Sequence, residues 1–171
     1  ISAEQFSDYV QNQLPDAGAS QQQLLMNLSN QMPLQALEVA QSAWLPLRQE
    51  FLQDWQKLVM QKNMPMAIAT KWNKNLNFGD FAQMFEYLLS DLICVKLNQT
   101  VKNIDLEFNV LAEQYSLEAL FKIYEDFQRA KQFLEQNVQS NLVIDELFIN
   151  NQIALDILRS EEHTSELQSQ F

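Results

Sequence analysis

Glycine is nearly missing from this 171-residue chain, with Gly18 and Gly79 the only two. A phosphate-cradling loop of the Walker or dinucleotide-binding type needs several glycines close together, so neither can be written here. Prolines number four. So few turn-formers exclude a sandwich or barrel, which must turn roughly every 8–12 residues. The single cysteine, Cys94, rules out an intramolecular disulfide and a cysteine-based zinc site, and suits a reducing, cytoplasmic compartment. No basic-then-apolar leader and no run of about 18 apolar residues occurs, so neither a signal peptide nor a membrane span is expected. Bases are scarce as well, 11 against 22 acids for a net charge of −11. Such a field repels a nucleic-acid backbone, and the chain is not expected to hold DNA by itself.

Hydrophobic residues are 47% and aromatics 11% of the chain, enough for a sizeable core, and their spacing is helical. Ser2 and Gln5 form a capping box before Phe6, Tyr9 and Val10. After the Leu14–Gly18 loop, Ser20 is read as the cap of a second helix carrying Leu24, Leu25 and Leu28. Pro33 suits the first turn of a third, with Leu34, Leu37 and Val39. These three short helices are expected to have little core of their own, and a domain boundary is placed at Ser42. Beyond it, Leu47 to Val59 repeat at helical spacing, and Ile68 and Trp72 anchor the next helix. Asn77 caps a helix with a wide stripe from Phe78 through Phe81, Phe85, Leu88, Leu89 and Leu92 to Ile93, which marks the middle of a bundle. Ile104 to Val110 alternate like a strand but lack a partner, and are read as an extended entry to a short helix. Ser116 caps a long helix with Leu117, Leu120, Phe121, Tyr124, Phe127 and Leu134 inward. The last helix, from about Asn141 through Ile157, is expected to be the most enclosed. The fold class is all-α.

The ends carry their own expectations. The start at Ile1 reads as the beginning of a fragment whose N-terminal part is missing. Residues 159–171 read as a non-native polar tail, because 159–169 resemble translated sequencing-adapter read-through. His163, the only histidine, lies in that tail.

Without an imidazole elsewhere, Ser–His or Cys–His catalysis has no base. Cys94, between Ile93 and Val95, reads as a buried structural thiol. The acid pairs Asp105/Glu107, Glu125/Asp126 and Asp145/Glu146 read as solvated faces, since adjacent helical carboxylates diverge by about 100°. The Glu-x-x-His repeat of di-iron bundles is absent from the sequence. Trp55, Phe81 and Phe127 sit at core spacing without interleaved bases, so they form no stacking platform for nucleic acid. Composition and spacing alone end at an acidic, non-catalytic helical module that binds other proteins, with no cofactor and no metal expected.

Two stretches point further. Ser20 to Glu38, with Met32-Pro33-Leu34-Gln35-Ala36-Leu37 at its centre, resembles the lid of bacterial clamp-loader proteins of the AAA+ class. Asn137 to Ile149, the Leu117–Leu134 helix and the Asp105–Ala112 approach to it are similar to the delta-prime family of DNA polymerase III subunits. The resemblance implies that residues 1–42 end an AAA+ lid and 43–158 form a helical collar. It implies gamma/tau- and delta-type subunits as partners in a hetero-pentamer, and contact with the sliding clamp and DNA only through the whole complex. This segment would be non-catalytic within a DNA-directed DNA polymerase (nucleotidyltransferase) holoenzyme that carries out DNA replication. ATP-using relatives place an arginine after the Pro-Leu pair; Gln35 stands there in this chain, and a neutral amide does not neutralise phosphate charge. Asn141, Asp145 and Phe148 are the candidate subunit-contact residues, although burial propensity favours core for Phe148. Two other classes compete. One is the ligand-binding and dimerisation domain of an all-helical transcription regulator. The other is a helical enzyme with a carboxylate metal site, which the missing histidine disfavours.

Overall fold

The computed structural model describes residues 2–60, 64–135 and 144–150. All of the regular structure in these residues is helical. Asn141, Leu142, Val143 and residues 151–157 of the expected last helix, the Leu134 side chain and the 159–171 tail lie outside this description.

Helix α1 (Ala3–Gln13) starts at the expected capping box: the Ser2 hydroxyl accepts from the Gln5 amide N–H and the Gln5 side chain accepts from the Ser2 N–H. Helix α2 (Ala19–Leu28) begins two residues earlier than expected. Gly18 is its N-cap, without a side-chain bond, and Ser20 lies inside the first turn. At its far end Asn30 and Gln31 take left-handed φ values of 51° and 62°. The Gln31 N–H donates to the Met26 carbonyl at 2.9 Å, which closes the helix. Pro33 opens α3 (Pro33–Gln41) at its first turn, where a missing N–H costs nothing. Leu34 on that turn is 70% exposed, and Ala36 and Val39 are buried instead. Phe6, Val10, Leu24, Leu25, Leu28, Ala36 and Val39 are buried, and they join the main core without a break.

A short 3-10 turn (Leu45–Leu47) leads into α4 (Arg48–Val59), followed by α5 (Pro65–Asn75) and α6 (Phe78–Lys96). The Asn77 side chain caps α6 by accepting from the Asp80 N–H at 2.9 Å. As its stripe predicts, α6 is central and packs on α4, on α7 (Asn109–Ala112) and on α8 (Leu117–Glu135). Residues 104–106 are turn and bend and 107–108 are irregular, so their alternation marks an irregular approach to α7. The Ser116 hydroxyl caps α8 by accepting from the Ala119 N–H at 3.1 Å. Residues 144–150 are helical, with Ile144, Leu147 and Phe148 buried and Glu146 and Ile149 exposed. Over these residues burial is one-sided, and the remainder of the helix expected from about Asn141 through Ile157 lies outside the described residues.

Phe51 is the hub of the core. Its ring meets Trp72, Phe81 and Phe85 edge-on, with centroids 5.0, 5.5 and 6.1 Å away, and Phe148 at 6.0 Å. Edge-to-face rings at these separations gain quadrupole attraction beyond the area they bury. Trp55 stacks on Phe85 at 5.0 Å, and Phe85 meets Phe127. One correction concerns α8. Phe121 is 46% exposed while Ile123 is buried, so its inward face is set by Leu120, Ile123 and Phe127.

Candidate functional site

Three buried charges organise the chain after Ser42. Arg48, at the start of α4, is 5% exposed. Its guanidinium donates to the Leu45 carbonyl, to the Asn103 side-chain carbonyl and to both carboxylate oxygens of Asp105, at 3.0 and 2.9 Å. From α6, buried Asp91 accepts from the Lys102 N–H, the Asn103 N–H and the Asn103 side-chain amide at 2.7–2.8 Å. Asn103 thus joins an arginine on one helix to a carboxylate on another. The loop after α6 is fixed at its middle, with every buried charge paired as burial demands.

Asp54 on α4 is the third. Lys57 and Lys71 donate to it and the Trp72 indole N–H reaches it at 3.2 Å, while Lys71 also meets Glu50. Burial alone pushes the Asp54 carboxyl up, but the hydrogen bonds and charges of Lys71 and Lys57 outweigh it and hold the group below its ordinary value. For Lys71 burial pushes down, and the same partners raise it. Burial and then Glu86 raise Tyr87, whose hydroxyl donates to the Leu28 carbonyl at 2.9 Å. Cys94 is half-buried, more open than expected. Burial and then Asp91 raise its thiol, and Lys102 only partly opposes them; a raised thiol is a poor nucleophile.

The pinned loop forms one wall of two open clefts. The first, about 490 Å³, lies between the end of α2 and residues 100–104. Asn27, Asn30 and Gln31 face Thr100, Lys102 and Ile104 across it, over Met26 and Val101. The second, about 290 Å³, lies along α4, where Gln49, Gln53 and Gln56 face Asp105, Glu107 and Val110. Neither lining includes a histidine, cysteine or serine. Among the described residues there is no group of three or more His, Cys, Asp or Glu placed to hold a metal ion. No helix among them is long and apolar enough to cross a membrane.

Of the residues singled out from sequence, Asp145 and Phe148 share the helical segment 144–150, while Gln35 lies on α3. Gln35 sits on the first turn of α3, half-buried, and its side-chain oxygen is buried without a hydrogen-bond partner among the described residues. Asp145 accepts from the Asn73 side chain at 3.2 Å. Phe148 is 1% exposed and belongs to the Phe51 and Phe81 cluster; Asn141 lies outside the described residues. Asp105 is no bare solvated acid, because it pairs with Arg48. Asp126 on α8 likewise meets Lys122 and Arg129. Arg48, Asp54, Asp91, Lys102 and Asn103 were missed by sequence reasoning. The one available signal was Arg48 and Asp54 falling on the helical face of Phe51, Trp55 and Leu58.

A scan against protein-family models finds no match, and searches of the curated proteins and of the solved structures find none either.

Proposed function

We propose that this chain is a non-catalytic assembly module of a DNA polymerase III clamp loader, resembling the delta-prime stator: lid helices up to Ser42, then a collar. The clamp-loader part of the reading comes from the resemblance of Ser20–Glu38 and Asn137–Ile149, with Gln35 where ATP-using relatives carry arginine. The assembly part is carried by one observation. Phe121 stands 46% exposed on α8, a helix whose opposite face is locked to α6 through Leu120, Ile123 and Phe127. An aromatic ring on a helix that close packing holds rigid suits a subunit contact, since little entropy is lost when a partner covers it. The working part of such a loader hydrolyses ATP elsewhere, and this module gives it a fixed frame.

The test is to mix the purified chain with gamma/tau- and delta-type subunits and follow it by size-exclusion chromatography. Co-elution in a stoichiometric ring is the expected result; elution of the chain unchanged beside those subunits refutes it. The regulator reading has the cleft of about 490 Å³ in its favour, a volume within the usual range for ligand pockets. It requires a two-fold dimer in the absence of any partner.

A further inference from the structure

The geometry points to the cleft between α2 and the loop after α6 as a binding groove for a short extended peptide of a partner protein that carries one acidic side chain. The inference does not depend on the clamp-loader reading.

Four observations carry it. The cleft, about 490 Å³ and open to solvent, is too roomy for a single ion or water and has the volume for a few residues of chain. Its walls are lined with side-chain amides, Asn27, Asn30 and Gln31, and the Thr100 hydroxyl. Each offers both donor and acceptor, the pairing that peptide N–H and C=O groups require. Asn30, Gln31 and Thr100 are exposed and make no side-chain hydrogen bond among the described residues, so they are available. Lys102 is the only charged residue in the lining. No carboxylate among the described residues lies within ion-pair distance of it, and its ammonium rests over the Tyr87 ring at 5.8 Å.

That lone cation decides the charge of the occupant. The chain as a whole is acidic, but beyond a Debye length of about 8–10 Å the repulsion is screened, and the local ammonium governs. One lysine among amides cannot hold a nucleic-acid backbone, which needs several phosphate contacts. It suffices for one carboxylate, in a charge-assisted hydrogen bond. Both walls are set in advance. On one side the Gln31 and Met32 N–H groups are tied back to Met26 and Ser29. On the other, Asp91 holds the backbone of Lys102 and Asn103. A groove already in its bound shape loses little on binding.

The test uses the full, isotope-labelled chain and capped Ser-Leu-Glu-Leu-Ser peptides, with Gln or Lys replacing the central Glu in two controls, and sodium acetate as the free-carboxylate arm. The Glu peptide is expected to shift the backbone amides of residues 26–31 and 100–104 saturably. The Gln peptide binds about tenfold more weakly, as loss of one charge-assisted bond implies, and the Lys peptide does not bind. Lys102→Gln weakens the Glu peptide by the same factor. Thr100→Glu, on an exposed wall and so neutral for folding, abolishes its binding. The proposal is overturned if the Glu peptide gives no saturable shift there, if the Lys peptide binds equally, or if Lys102→Gln leaves affinity unchanged. Acetate matching the peptide's affinity would also overturn it, by making the groove a site for small anions.

Discussion

Among the described residues of α1–α3 the buried side chains are Phe6 and a set of Leu, Val and Ala, knotted by one neutral amide. Gln22 accepts from the Ser7 hydroxyl at 2.7 Å and donates to the Ala17 carbonyl at 3.0 Å and to Gln11. From α4 onward the core is a lattice of aromatic rings around Phe51, and its polar knots are ionic, at Arg48, Asp54 and Asp91. Amides and small aliphatics keep the first region indifferent to pH and tolerant of repacking. Aromatic rings and paired charges make the second rigid, but also intolerant of losing one member, because the survivor stays buried and unpaired. Trp44 stacks on Tyr87 at 5.4 Å and Tyr87 bonds the Leu28 carbonyl, which fastens one region to the other.

The sharpest way to break the contrast is at its hub. Phe51→Ala is expected to cost about 3–5 kcal/mol, read as a fall in the urea midpoint. Leu25→Ala, in the first region, is expected at the low end of about 2–5 kcal/mol. Equal losses would erase the distinction. Next comes Asp91→Ala, expected to cost about 3 kcal/mol because the Lys102 and Asn103 backbone N–H groups and the Asn103 side-chain amide lose their acceptor. In hydrogen exchange, residues 100–106 should lose protection before α1–α3 do. Tyr87→Phe removes only the fastening bond, about 1 kcal/mol, and is expected to raise exchange at the α2 end while leaving α8 unchanged.

The acid limb separates the regions more gently. The Asp54 carboxyl is held below its ordinary value of 3.8. Its contribution is therefore complete above that value and is lost as pH falls from there through the folded value. Asp54→Asn is expected to lower stability at neutral pH and to flatten the decline below pH 3.8. Gln22→Ala lowers stability equally at both ends of a pH titration. The smallest effect concerns Cys94. Its raised thiol is expected to alkylate several-fold more slowly than free cysteine at mildly alkaline pH, with no change in stability.

Periodicity made the helices legible, and capping chemistry made several of their starts legible: Ser2, Asn77, Ser116 and Pro33 do what their residue types imply. Gly18 displaced Ser20 because an N-cap needs an extended backbone more than a side-chain bond, and no pattern of apolar residues reports that. Phe121 and Ile123 were exchanged because both lie near the edge of the α8 stripe, where only the position of α6 decides which faces inward. The central knots were illegible for a different reason. Arg48, Asp91 and Asn103 lie far apart in the chain, and each alone reads as a surface residue. Only their meeting makes them a unit, and the groove beside Lys102 exists because that unit fixes its wall. Gln35 was legible as a departure from arginine, but its buried oxygen, unpartnered among the described residues, was not.

The most direct measurement is sedimentation velocity of the intact chain, alone and with gamma/tau- and delta-type subunits, for the wild type and Phe121→Glu. The account predicts a 20.0 kDa monomer alone, wild-type chain drawn fully into the larger ring, and the equally folded variant left behind. A stable two-fold dimer without partners, or a Phe121→Glu chain that joins the ring as well as the wild type, would contradict it.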